Sequence, residues 1–142
     1  DNVSSLNPAI FFNSLMDLFS EFYTASNRIV YESIISKKLS MSVSSLMNIG
    51  LLLNELISNS IKHAYNVGEK GDVNISIQEN NKNLVLKISD SGSGIMSPVG
   101  AGSSLGMKLI NALVFQLEAT IKFHNRSGLT VEVIIPKLSS NE

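Results

Sequence analysis

One segment, from Ser42 or Ser44 to about Tyr65, limits the possible folds more than any other. At about 100° per residue, Leu53, Leu56, Ile57, Ser60, Ile61 and Ala64 fall on one side of a helix. Glu55, Asn59, Lys62 and Asn66 fall within a narrow arc elsewhere on it, with His63 alongside. A long helix with one apolar side must bury that side against another layer. The rest of the chain supplies one. Residues 72–78 alternate, with Val73, Ile75 and Ile77 on one face, and Leu84, Leu86 and Ile88 repeat the pattern. Residues 28–35 are rich in β-formers, and residues 120–124 and 129–135 read as two closing strands joined by a turn at 125–128. Two more helices are expected. Asn7-Pro8 reads as a cap followed by a first-turn proline, opening a helix over 8–24 with Phe11, Leu15, Leu18 and Phe22 at helical spacing. Residues 105–117 bring Leu109, Leu113 and Leu117 into line. The expected fold is α+β, a two-layer α/β sandwich in which a mixed sheet carries its helices on one face. Neither a repeat nor a linker divides the chain, so residues 1–142 read as a single domain.

Composition excludes several functions. The 142 residues are 44% hydrophobic, enough for a packed core, and the net charge of −1 leaves no basic footprint for nucleic acid. Lys37-Lys38 is the only adjacent basic pair. The absence of cysteine rules out disulfides, thiolate metal sites and a thiol nucleophile, and fits a cytoplasmic setting. The densest apolar run, residues 49–53, is far too short to cross a bilayer, so no direct membrane contact is expected. No signal peptide is visible and the chain opens at Asp1, which reads as a piece cut from a longer protein.

Three stretches carry candidate chemistry. On the long helix, Glu55 and Asn59 occupy an otherwise apolar middle, and asparagine is a poor interior helix former. An amide oxygen suits magnesium, which takes oxygen ligands and shares its shell with water and phosphate. Glu55, one turn earlier, could hold or deprotonate a water, and Lys62 could reach a phosphate. The plainer alternative is a solvated helix face. The second stretch is Asp90-Ser91-Gly92-Ser93-Gly94, directly after an alternating strand. A carboxylate there can accept from a base's exocyclic amine, while the glycines let backbone approach a flat ligand. The third is Gly102-Ser103-Ser104-Leu105-Gly106, which leads into a helix. Helix N-termini attract phosphate, although a capped helix after a loop reads equally well here. Neither a Walker A nor a Rossmann glycine pattern is present.

In this order the three stretches resemble the boxes of the ATP-binding domain shared by gyrase, the Hsp90 chaperone, MutL and the histidine kinases. Residues 53–65 look like its N box, Asp90 to Gly94 like its first glycine box, and Gly102 to Gly106 like its second. The Asn-Glu-Leu opening, the Lys-His-Ala close, residues 105–113 and Gln116-Leu117 are most similar to one bacterial and archaeal subfamily of sensor histidine kinases. The resemblance implies ATP and magnesium as cofactors and Asn59 as metal ligand. It implies Glu55 in the catalytic position, Asp90 with Gly92 and Gly94 around the adenine, and Gly102, Ser103, Ser104, Leu105 and Gly106 on the phosphates. Lys62 and His63 match positions lining the pocket.

The implied reaction passes the γ-phosphoryl group to a histidine on a separate dimerisation domain of the same protein, upstream of a response regulator. Leu129 departs from the family's pattern, standing where threonine usually follows the glycine, and Thr130 should face the other way. The lid between Gly94 and Gly102 is short and lacks the phenylalanine-bearing box of larger kinases, as this subfamily's does. No acceptor histidine precedes the N box; His63 reads as part of the site and His124 as structural. An anti-sigma protein serine kinase and a non-enzymatic nucleotide switch are the alternative readings.

Overall fold

Alternation along residues 72–90 puts Val73, Ile75, Ile77, Leu84, Leu86 and Ile88 on one face of a hairpin, and all six are buried. The computed structural model describes residues 5–23, 28–64, 71–91, 104–125 and 128–137. In chain order the elements are β1 (Ser5–Leu6), α1 (Pro8–Phe22), β2 (Arg28–Ile34), β3 (Met41–Ser42), α2 (Val43–Ala64), β4 (Asp72–Glu79), β5 (Asn83–Asp90), α3 (Leu105–Gln116), β6 (Thr120–Asn125) and β7 (Leu129–Pro136).

Five strands form one sheet in the order β2-β4-β5-β7-β6. The β2–β4 pair is parallel, with Arg28 opposite Asp72; the other three pairs are antiparallel. The buried face of β4 and β5 continues through Val131, Val133 and Ile135 of β7. Onto it α2 lays Leu46, Ile49, Leu52, Leu53, Leu56 and Ile57, which solvent scarcely touches. α1 adds Phe12, Met16 and Phe19, and α3 adds Met107, Ile110 and Leu113. The opposite sheet face presents Glu32, Ser76, Lys87, Glu132 and Lys122 across one row, all at least partly exposed. The expected two-layer α+β arrangement is therefore the one observed.

Helix starts follow local chemistry. Asn7 Oδ1 accepts from Ile10 N at 3.1 Å, Ser42 Oγ from Ser45 N at 3.1 Å, and Ser104 Oγ from Met107 N at 3.0 Å. Each satisfies an amide that the first helical turn leaves unpaired. α3 ends without glycine: Glu118 takes φ of 55°, and Ala119 N returns to Val114 O at 2.9 Å.

Some expectations need correcting. In α1 the buried stripe is Phe12, Met16 and Phe19. Of the stripe read from the sequence, Phe11 and Leu15 are only half-buried against Gly50, while Leu18 is 59% and Phe22 77% exposed. The apolar arc of α1 covers about half the helix, with Asn13, Asp17 and Ser20 on the other side, so both sets of residues fall within it and only the packing partner selects which is buried. In α3, Leu113 and Leu117 are buried as expected, but Leu109 is exposed. The two-residue pair β1–β3 was not anticipated, being too short to show a period. At the end of the sheet away from Asp90, Lys137 Nζ lies 2.8 Å from Glu79 Oε2, and Ser36 N donates to Glu79 Oε1 at 2.7 Å.

Candidate functional site

Among the described residues only two polar side chains are buried, Ser60 and Asp90. Ser60 lies on the core side of α2, as the helical spacing requires. Asp90 is 8% exposed and ends the apolar face of Leu84, Leu86 and Ile88, so its carboxylate points to the helix-bearing side of the sheet. A buried carboxylate is costly without hydrogen bonds. Leu129 N, opening the neighbouring strand, donates to Asp90 Oδ1 at 3.3 Å.

Gly128 makes that junction possible. Its φ of +115° lies where side chains are strained, and a Cβ there would collide with the Asp90 carbonyl oxygen. Leu129 packs its side chain against the core, and strand alternation puts Thr130 on the other face. At this position the backbone amide of Leu129 meets Asp90.

On α2, Glu55 and Asn59 are half-buried and Lys62 is exposed. Glu55 reaches across to α3, where its Oε1 would lie 3.0 Å from a Cβ built on Gly106. Gly106 thus leaves room for a carboxylate against the first turn of α3, the end of a helix that favours negative charge. Ser104, the cap of that turn, and Leu105, which is exposed, complete the described part of the second glycine stretch. The fold therefore brings Glu55 and Gly106 together although 51 positions separate them in sequence (106 − 55). Asn59 stands about one turn further along the Glu55 side of α2. Gly92, Gly94, Gly102, Ser103 and the His63 side chain lie outside the described residues. Among those described, no cluster of three His, Asp or Glu side chains forms a cation cage. The oxygen donors Glu55 and Asn59 fit a cation that shares its shell with phosphate and water.

The sequence singled out the Gly128–Leu129 position but not the hydrogen bond from Leu129 N to Asp90. It missed Tyr23 altogether, whose hydroxyl donates to Asn54 Oδ1 at 3.3 Å. Nothing in the sequence linked those two.

The chain matches the family described as the histidine kinase-like ATPase domain over residues 23–135, and it belongs to that family. No curated protein matches it in sequence. Among solved structures it is similar to a blue-light activated histidine kinase of Erythrobacter litoralis, with a TM-score of 0.77, 20% identity and 92% of this chain covered. It is also similar to the histidine kinase AdeS of Acinetobacter baumannii (TM-score 0.73, 21% identity, 95% of this chain and 67% of that one). The catalytic domain of histidine kinase ThkA gives a TM-score of 0.75 at 19% identity, over 94% of this chain and 95% of that one. At such identities the likeness is one of fold. The chain spans 42% of the Erythrobacter litoralis kinase. Among the described residues, no helix is long and apolar enough to cross a membrane.

Proposed function

We propose that this domain binds ATP with magnesium and donates the γ-phosphoryl group to a histidine. That histidine would sit on a dimerisation domain of a two-component sensor kinase, and a response regulator would take the group onward. The observation that carries this reading is Glu55 lying against the first turn of α3 at Gly106. It puts a carboxylate suited to proton handling beside a helix N-terminus suited to phosphate. Membership of an ATPase-domain family supplies the nucleotide.

Asp90, buried and held by Leu129 N, would accept from the adenine amine. Asn59 would hold magnesium, which when bound neutralises phosphate charge. Ser104, Leu105 and Gly106 would meet the phosphates, joined by Gly102 and Ser103, and Lys62 and His63 would line the pocket. Glu55 would orient the incoming nucleophile. Phosphoryl transfer asks little covalent work of a protein, so positioning and charge carry it.

The test supplies γ-labelled ATP to this chain together with the histidine-bearing segment, in cis or as a separate fragment. Acid-labile label on that segment and none on this chain is the expected result. Acid-stable label on a serine would instead support a kinase of the anti-sigma class. Acid-labile label on His63 in the isolated chain would overturn the reading, because an acceptor must approach the γ-phosphate from outside the site.

A further inference from the structure

We propose that Tyr23 is a positioning residue of the phosphoryl-transfer site: its hydroxyl holds one margin of the polar arc of α2, so that Glu55 stays aimed at the first turn of α3. The proposal rests on the kinase reading above.

Tyr23 directly follows α1 and caps it, its N–H donating to Phe19 O at 2.9 Å. Its ring is fixed by an edge contact with Phe22 (centroids 4.9 Å apart, 85° between planes) and a tilted one with Phe19 at 6.4 Å. A ring held this way places its hydroxyl without needing further order. The hydroxyl donates to Asn54, the residue immediately before Glu55. Burial raises the phenol's pKa above 10, the Ser58 hydroxyl opposes that rise, and the charge of Glu55 adds to it. The phenol therefore remains a donor throughout the neutral range, and it sits close enough to feel Glu55 and Ser58.

Helical spacing explains the reach. With Asn54 at the origin and about 100° per residue, Ser58 stands near 40°, Lys62 near 80°, Glu55 near 100° and Asn59 near 140°. Tyr23 thus engages the edge of the arc opposite Asn59, at the residues preceding both candidate site residues in sequence. Long side chains on a helix face keep several rotamers unless neighbours remove them. The first turn of α3 at Gly106 receives the Glu55 carboxylate, and the Tyr23–Asn54 bond fixes the helix residue immediately before it.

The competing explanation is that this bond only staples α1 to α2. Tyr23→Phe keeps the ring contacts and removes the hydroxyl, and Asn54→Ala removes the acceptor. Both should be made in the full protein carrying this chain, alone and combined with Glu55→Gln, with nucleotide affinity, turnover and Tm measured. Each single variant is expected to lower turnover about tenfold while leaving nucleotide affinity within about twofold. In the Glu55→Gln background that loss should vanish, because Tyr23 acts through Glu55. Unchanged turnover, additive losses, or turnover and affinity falling together with Tm would overturn the proposal. A wild-type protein that binds ATP and transfers nothing would sink the kinase reading and this proposal together. An active wild type indifferent to Tyr23→Phe would sink this proposal alone.

Discussion

At Gly128 the backbone takes φ of +115°, and a methyl group there would run into the Asp90 carbonyl oxygen. Gly128→Ala should therefore cost stability twice, through left-handed strain and through the collision. A loss of at least about 2 kcal/mol is expected in denaturant unfolding. Because β5 and β7 meet there, the same variant should weaken nucleotide binding even at temperatures where it stays folded. An equally stable, fully binding Gly128→Ala protein would show that the junction tolerates movement. Asn59 calls for a different measurement. If it holds magnesium, Asn59→Ala should reduce ATP affinity about tenfold or more with magnesium present, roughly 1.4 kcal/mol, and have little effect in EDTA. Equal losses under both conditions would remove Asn59 from the metal's shell.

Among the elements, α2 was the most legible. Its core side and its polar arc both follow from helical spacing alone, and Ser60 fell on the buried side as that spacing demands. Asp90 could be read for a related reason: it continues the two-residue period of Leu84, Leu86 and Ile88 to the point where the strand stops. α1 was harder, because its apolar arc is broad and nothing local says that Phe12, Met16 and Phe19 are the part of it buried deepest. The Tyr23–Asn54 bond, spanning 31 positions, leaves no local trace at all. The end of α3 offers a prediction of its own. Glu118 holds φ of 55° where helices usually place glycine. Glu118→Gly should relieve that strain and stabilise the protein by about 0.5–1 kcal/mol. A lower Tm for this variant would mean that the glutamate side chain contributes more than the strain costs.

Across the whole molecule, the end of the sheet remote from Asp90 is closed by Glu79, Lys137 and the amide of Ser36. The bond from Lys137, then that from Ser36 N, holds the Glu79 carboxyl below its usual value near 4.5. A depressed carboxylate pKa contributes stability that is present above the unfolded value and lost as pH falls through the folded one. Tm should therefore decline below about pH 4.5, and Glu79→Gln should make that decline shallower while lowering Tm at neutral pH. An unaltered acid limb in Glu79→Gln would assign the decline to other carboxylates. The parallel pairing of β2 with β4 also bears on how the protein is made. Arg28 meets Asp72, 44 positions later, and α2 lies wholly between them. At the usual pace of synthesis, about 5–20 residues per second, β2 waits about 2–9 s for its partner. Over that interval α2, which bears Glu55 and Asn59, is synthesised ahead of β4, β5 and β7, the strands that will cover its apolar side. A nascent chain is most open to chaperones, and most prone to aggregate, while the part that later handles nucleotide is still uncovered.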